Sequence, residues 1–230
     1  MALPIFDGVD RQLIERLLER CSARQYRAGA LIVRHGELVP ALHVVLRGIV
    51  DLTHISGKSE CGVLLLSSKD LLLPATTVFQ EPALVSARAL TNSKILMLDG
   101  SDVQAALDHS TAFAANLMKP MSGQWRMAVR NILDLNCRSA AQRVGAFLLR
   151  LADLQSPSSA PLLPIAKRHL AVRLGITPET LSRMLQTVAD HGLHLRGRTI
   201  VIRDRAAIEE FCGPDPYPQK DERPLNVFAL

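Results

Sequence analysis

The residues best suited to do chemistry in this 230-residue chain are concentrated in one short stretch, Gly175-Ile176-Thr177-Pro178-Glu179-Thr180-Leu181-Ser182-Arg183. Glu179, Ser182 and Arg183 stand at i, i+3 and i+4, the spacing that brings side chains onto one helix face. The guanidinium of Arg183 can donate two hydrogen bonds at once, matching the O6 and N7 acceptors of guanine. The carboxylate of Glu179 can accept from a cytosine amino group, and the hydroxyl of Ser182 can serve either role. With Glu179 at 0° and an advance of about 100° per residue, Ser182, Arg183, Gln186 and Asp190 fall within about 60° of it. Leu181, Met184, Leu185 and Val188 gather on the opposite side. One face is hydrogen-bonding and the other is core, the layout that reading base edges requires. An ordinary solvated helix face is the alternative.

Such a helix must be placed by its neighbours. Thr177 is the expected N-cap, with Pro178 at the first helical position. A helix over about 166–174 precedes it, and Gly175 supplies a left-handed turn. Helix, glycine turn, helix is the arrangement that sets a second helix into a DNA major groove. Two short runs, LHLR and TIVI, flank Gly197 and predict a hairpin with Arg196 and Arg198 at its tip. Arg196 and Arg198, with Lys167, Arg168, Arg173 and Thr177, are placed to meet phosphates, which gives affinity and salt dependence but no sequence choice. Residues 137–212 carry 11 Lys+Arg against 6 Asp+Glu, whereas residues 1–136 carry 14 against 13. The positive excess therefore sits in the segment that would meet a polyanion.

Upstream, residues 9–20 read as a short amphipathic helix. From about 22 to 98 the pattern is short apolar runs broken by turns: ALIV (30–33), ALHVVL (41–46), GIVDLTHI (48–55), CGVLLL (61–66) and SKILML (93–98). These predict a β-sandwich or barrel of the jelly-roll kind. Ser101 is the expected cap of a helix SDVQAALDH. A longer helix follows over about 111–136, in which Ala114, Met118, Met121, Trp125, Ala128, Ile132 and Leu135 alternate at spacings of four and three. That heptad seam predicts self-association, against the alternative of a helix lying on the β-domain. Pro120 should kink the helix or mark where its regular part begins. Ser139 caps a further helix over 139–152, LQSPSSAPLLP (154–164) reads as a connector, and residues 213–230 as a flexible tail. The expected organisation is α+β: a β-roll over 1–109, a dimerisation helix over 110–136, a winged helix-turn-helix over 137–212, and the tail.

No run approaches the ~20 apolar residues of a membrane span, and the N-terminus lacks a secretory pattern, so a cytoplasmic protein is expected. Cys21, Cys61, Cys137 and Cys212 are too scattered for a zinc or iron–sulfur site and are read as reduced thiols. No hydrolase, metalloprotease, P-loop or dinucleotide motif is present, so an enzyme is not expected.

The stretch 175–183 followed by the hairpin GRTIVI resembles the DNA-binding domain of the Crp/Fnr superfamily, and RAGxLIxRxGE (27–37) with LxG (46–48) is similar to that family's β-roll opening. The resemblance covers about residues 8–211. It implies a homodimeric transcription regulator that binds palindromic double-stranded DNA and works with RNA polymerase. Glu179-x-x-Ser182-Arg183 matches the pattern that in the Fnr branch reads TTGA-containing half-sites.

The resemblance does not fix the signal. Lys69-Asp70 and Ala83-Leu84 stand where cyclic-nucleotide members carry Gly-Glu and a phosphate-binding Arg pair, so no cyclic AMP is expected. Arg88 is read as a solvated strand cation. With Cys21 alone near the N-terminus, no iron–sulfur cluster is expected. Leu73, Pro74 and Ala75 replace the haem ligands of the carbon-monoxide-sensing member. The segment LPATTVFQ (73–80) is most similar to the Nnr/Dnr-like regulators of denitrification, which implies a haem-borne response to nitric oxide. Candidate axial ligands are His35, His43, His54 and Cys61. The alternatives are control by abundance or thiol oxidation, without a small-molecule ligand, or a cyclic-nucleotide response.

Overall fold

The computed structural model describes residues 3–57, 59–155 and 160–214. They form two compact units, one of residues up to 57 with 63–127 and one of 59–62 with 128–214.

In the first, a 3-10 turn and helix α1 (Arg11–Glu19) precede β1 (Ser22–Tyr26), β2 (Leu31–Val33), β3 (Ala41–Arg47), β4 (Val50–Ser56), β5 (Ser59–Leu66) and β6 (Leu71–Leu72). Helix α2 (Pro74–Phe79), β7 (Ser86–Ala89), β8 (Ser93–Asp99) and α3 (Gly100–His109) follow. The strands form two four-stranded sheets, β1-β8-β3-β6 and β2-β7-β4-β5. This is the expected jelly-roll layering. Strand alternation sorts the side chains. On β3, Leu42 and Val44 face the helices α1 and α3, packing with Leu17, Leu98, Val103 and Phe113. Val45 faces the other sheet, where Val50, Leu52, Leu66, Leu72, Ala87 and Ile95 complete a second core. Each fully buried Leu, Ile, Val or Phe among them contributes about 1.5–3 kcal/mol. Gly48 turns β3 into β4 at φ +97°, and a Cβ there would lie 2.7 Å from the Cα of Ser93. Only glycine fits that position.

Periodicity alone missed four elements here. SARQY forms β1 although four of its five residues are exposed. β6 has only two residues, and β7 alternates small residues, so neither shows a hydrophobic run. The segment 73–80 forms helix α2, entered and left through Leu73 and Gln80 in the left-handed conformation. Ser101 is not the cap of α3. Asp99 is, accepting from the backbone N–H groups of Ser101 and Asp102. Its carboxylate offers two acceptor oxygens two residues earlier.

Helix α4 (Thr111–Cys137) runs through Pro120 without a break. Phe113 and Leu117 bury its first half in the core, and Asn116 donates from Nδ2 to the carbonyls of Ile5 and Asp7. Those contacts offset the one ladder bond that proline removes.

The second unit contains α5 (Ala140–Asp153), α6 (Lys167–Arg173), α7 (Pro178–Asp190), β9 (Leu193–Arg196), β10 (Thr199–Ile202) and α8 (Arg205–Cys212). Ser139 caps α5 in a capping box with Gln142, as expected. Asp134 accepts from both Arg138 and Arg150, tying the end of α4 to α5 with all three side chains at most 15% exposed. At Gly145 a Cβ would meet the Cys212 sulfur at 2.6 Å, so glycine lets α8 approach α5 closely. Residues 156–159 of the expected connector and 215–230 of the expected tail lie outside the described residues.

Candidate nucleic-acid interface

The first helix of the pair, α6, buries Leu170 and Ala171. Its C-terminus is closed by Ile176 N donating to Ala171 O at 3.1 Å, with Gly175 in the left-handed region at φ +65°. Arg143 of α5 donates from Nε to Leu174 O at 3.3 Å, and a Cβ at Gly175 would lie 3.4 Å from Leu135. The turn is thus held from α4 and α5 as well as by its own backbone. Thr177 Oγ1 then accepts from Thr180 N at 3.2 Å, starting α7 with Pro178 in its first turn. Leu181 and Val188 are buried, and α7 packs on α5 and β9.

The opposite face of α7 is bare: Glu179, Ser182, Arg183, Gln186 and Asp190 are all exposed. Arg183 donates from Nη2 to Thr180 Oγ1 at 3.4 Å and makes no ion pair among the described residues. A bidentate donor is therefore presented and only lightly tethered. Ser182 Oγ donates back to Pro178 O at 3.1 Å, leaving its lone pairs outward. The Glu179 carboxyl is held below the usual carboxylate range by its own backbone N–H, then by the Thr177 hydroxyl. It stays ionised and acts as an acceptor.

Lys167 and Arg168 are exposed at the first turn of α6, where Arg168 Nε donates to His169 Nε2 at 3.1 Å. Arg173 is half-buried. β9 and β10 pair in the register Thr199↔Arg196, making Gly197-Arg198 a two-residue turn with Gly197 at φ +61°. Arg196 projects from the hairpin into solvent. Arg198 is more constrained than the sequence suggests, because its Nε donates to Leu163 O at 2.8 Å and its carbonyl accepts from Leu163 N at 2.7 Å. With Ile200 N donating to Pro161 O and an isolated antiparallel bridge between Leu162 and Thr199, residues 161–163 run beside the hairpin. The stretch read as a connector thus lies in part along the edge of the hairpin, with Pro161 and Pro164 at positions that need no N–H.

The seam on α4 divides. Met118, Trp125, Ile132 and Leu135 are 65%, 70%, 55% and 51% exposed, although they are large and apolar. Ala114 and Ala128 are half-buried, and Met121 packs on the first unit's own core.

The histidines proposed as haem ligands are separated by burial. His43 is 7% exposed, with Nδ1 2.9 Å from Ala41 O, and burial pushes its pKa down. It is a packed strand residue. His35 and His54 meet edge to face with ring centroids 5.0 Å apart. Two imidazoles on opposite faces of one haem iron would stand about 6 Å apart, so the pair does not fit as the two axial ligands of one haem. Cys61 is exposed on β5. Arg88, expected to be solvated, is half-buried and donates to Gly29 O at 2.7 Å. At the position of the expected Gly-Glu, Asp70 is 2% exposed and accepts from Ser67 N at 2.7 Å. Burial raises its pKa to about 7.

These features define a DNA reader joined to a β-roll domain of the cyclic-nucleotide-binding type. The profile of the Crp-like helix-turn-helix domain matches residues 142–211, and that of the cyclic nucleotide-binding domain matches residues 23–110. The chain is 29% identical over 212 residues to the cyclic AMP receptor protein of Thermus thermophilus, covering 91% of this chain and 96% of that one. It is 28% identical over 130 residues to the nitrogen fixation regulation protein FixK of Azorhizobium caulinodans, covering 54% and 52% of the two chains. Among solved structures, a CooA variant from Carboxydothermus hydrogenoformans superposes with TM-score 0.75 at 20% identity, over 92% of this chain and 95% of that one. FixK2 from Bradyrhizobium japonicum gives 0.74 at 22%, over 85% and 98%. At those identities the likeness carries the fold. A cyclic nucleotide-binding domain followed by a Crp-like helix-turn-helix domain makes the chain a DNA-binding transcription regulator of the Crp/Fnr type. No helix among the described residues is long and apolar enough to cross a membrane.

Proposed function

We propose that this regulator binds palindromic DNA as a homodimer, reading TTGA-containing half-sites with Glu179, Ser182 and Arg183. The observation that carries this reading is the exposed polar face of α7 beside an intact helix-turn-helix. Dimerisation is supported by the bare apolar residues of α4, which need a partner surface of their own length. Lys167, Arg168, Thr177 and Arg196 contact phosphates. Arg198 contributes with the guanidinium nitrogens that its bond to Leu163 leaves over. Recruitment of RNA polymerase and a cytoplasmic location belong to the same reading.

A second reading concerns the signal. A haem-borne response to nitric oxide, controlling denitrification genes, rests on the resemblance of segment 73–80, and it needs one axial ligand from His35, His43, His54 or Cys61. Binding of the purified protein to a TTGA palindrome and to a scrambled duplex tests the first reading. No preference for the palindrome would end it. The same titration with cyclic AMP, with haem, and with haem plus nitric oxide tests the second, which fails if haem gives no Soret band or leaves DNA binding unchanged.

A further inference from the structure

We propose that His35 and His54 together bind one divalent cation of the zinc, nickel or copper class, in an open site on the β2-β7-β4-β5 sheet. The distance between the rings is the first observation. An ion about 2.0–2.1 Å from a ring nitrogen lies about 3.2 Å from that ring's centroid. Two imidazoles sharing such an ion then have centroids about 5.2 Å apart at a tetrahedral angle and about 4.5 Å apart at a right angle. The observed separation is 5.0 Å, with the ring planes 81° apart.

The second observation is how the rings are held. His35 sits in a turn in which Arg34 N donates to Glu37 Oε2 and Gly36 N donates to Ala83 O at 2.7 Å. Its own N–H donates to Ser86 Oγ at 3.0 Å. His54 follows Thr53, which pairs with the same Ser86 across the β4–β7 ladder. Ser86 of β7 therefore holds the backbone of His35 directly and pairs with the residue before His54. Preorganisation of this kind lowers the cost of bringing two imidazoles to one ion.

The third observation is chemical availability. Among the described residues, the ring nitrogens of His35 and His54 make no hydrogen bond, in contrast to His43 and His109, whose Nδ1 atoms engage backbone carbonyls. His35 is exposed and His54 half-buried, so an ion has access from solvent. No group of three or more His, Cys, Asp or Glu side chains converges among the described residues. The chain thus supplies two ligands, and water or an anion completes the shell. Closed structural zinc sites use four protein ligands. A two-imidazole site instead exchanges its ion readily, and it spans β7 to join the turn after β2 to β4.

The test uses untagged full-length protein, stripped with a chelator, and zinc as the probe. Calorimetric titration is expected to show one ion per chain in the wild type. Affinity should fall about tenfold or more in His35→Ala and in His54→Ala, and binding should vanish in the double variant. Zinc should raise the thermal midpoint of the wild type but not of the double variant, whose metal-free midpoint reports whether it folds. Equal zinc affinity in the wild type and a folded double variant would overturn the site. So would an absence of binding at zinc concentrations up to the limit of the protein's solubility. A haem Soret band lost in either single variant, without any zinc binding, would overturn it in favour of a single axial ligand. No DNA is needed, so the outcome is independent of the α7 reading.

Discussion

Helices α4 and α7 each leave one face uncovered, and the two bare faces are chemical opposites. On α7 the exposed positions carry Glu179, Ser182, Arg183 and Gln186, with Leu181 and Val188 buried behind them. On α4 the exposed positions are Met118, Trp125, Ile132 and Leu135. A bare polar face is satisfied by water and costs nothing to leave exposed. Its value lies in replacing that water with hydrogen bonds of the right pattern, which is a matter of specificity. A bare apolar face is unfavourable in water, and covering it gives free energy in proportion to area whatever the partner's detailed pattern. Substitutions on α4 should therefore change how much protein binds DNA, and those on α7 should change which DNA it binds.

The largest expected effect comes from Trp125→Glu. A charge in the middle of the apolar stripe should convert the proposed dimer to a monomer by analytical ultracentrifugation. Affinity for a palindrome should then fall by about 100-fold or more, because the second half-site loses its effective concentration. Trp125 is 70% exposed, so the monomer should keep its circular dichroism spectrum. A variant that stays dimeric would break the contrast. Arg183→Ala should cost about 1–3 kcal/mol on the cognate duplex and nothing on random DNA, relaxing one base position. Equal losses on both would reassign Arg183 to the phosphates.

Asp70 sharpens the comparison from the other side, as a polar group that is wrapped rather than bare. Its carboxyl is raised to about 7 by burial, so between about pH 4 and pH 7 the folded state holds a proton that the unfolded state has released. Stability contributed by that proton is present at low pH and is lost as pH rises towards 7, with a limiting slope of about 1.4 kcal/mol per pH unit. Asp70→Asn keeps an acceptor for Ser67 N and should flatten that part of the profile, read by urea unfolding across pH. An unchanged slope would mean the carboxyl is already ionised in its site. Smallest of all, Arg196→Ala should weaken binding to every sequence alike and lower the salt slope by about one. A loss confined to the palindrome would turn the hairpin into a reader of bases.

Legibility followed the range of the interactions. The turn at Gly175, the caps Thr177 and Ser139, and the two faces of α7 are set by residues within four positions of each other, and each was readable from spacing. The long helix was equally plain. The cap of α3 was misplaced by two residues, because Asp99 ends a strand and only its side-chain geometry shows that it closes the next helix. β1, β6 and β7 were invisible because their partners are distant in sequence, with Ser22 opposite Met97 and Val44 opposite Leu71. A strand that borrows its core from its neighbours needs no hydrophobic alternation of its own. The bridge from Leu162 to the hairpin hid in a proline-rich stretch for the same reason.

The sequence by itself therefore determined the helical surfaces of this protein: the helix pair, the exposed polar face of α7, the flanking cations and the apolar stripe on α4. It did so because a helix writes its surface into a local period. Tertiary structure alone decided the fate of the isolated polar residues in the β-roll. It buried Asp70 and His43, tied Arg88 to Gly29, and brought His35 to His54 across β7. Strand partners come from anywhere along the chain, and spacing cannot say which side chains meet until the register is closed.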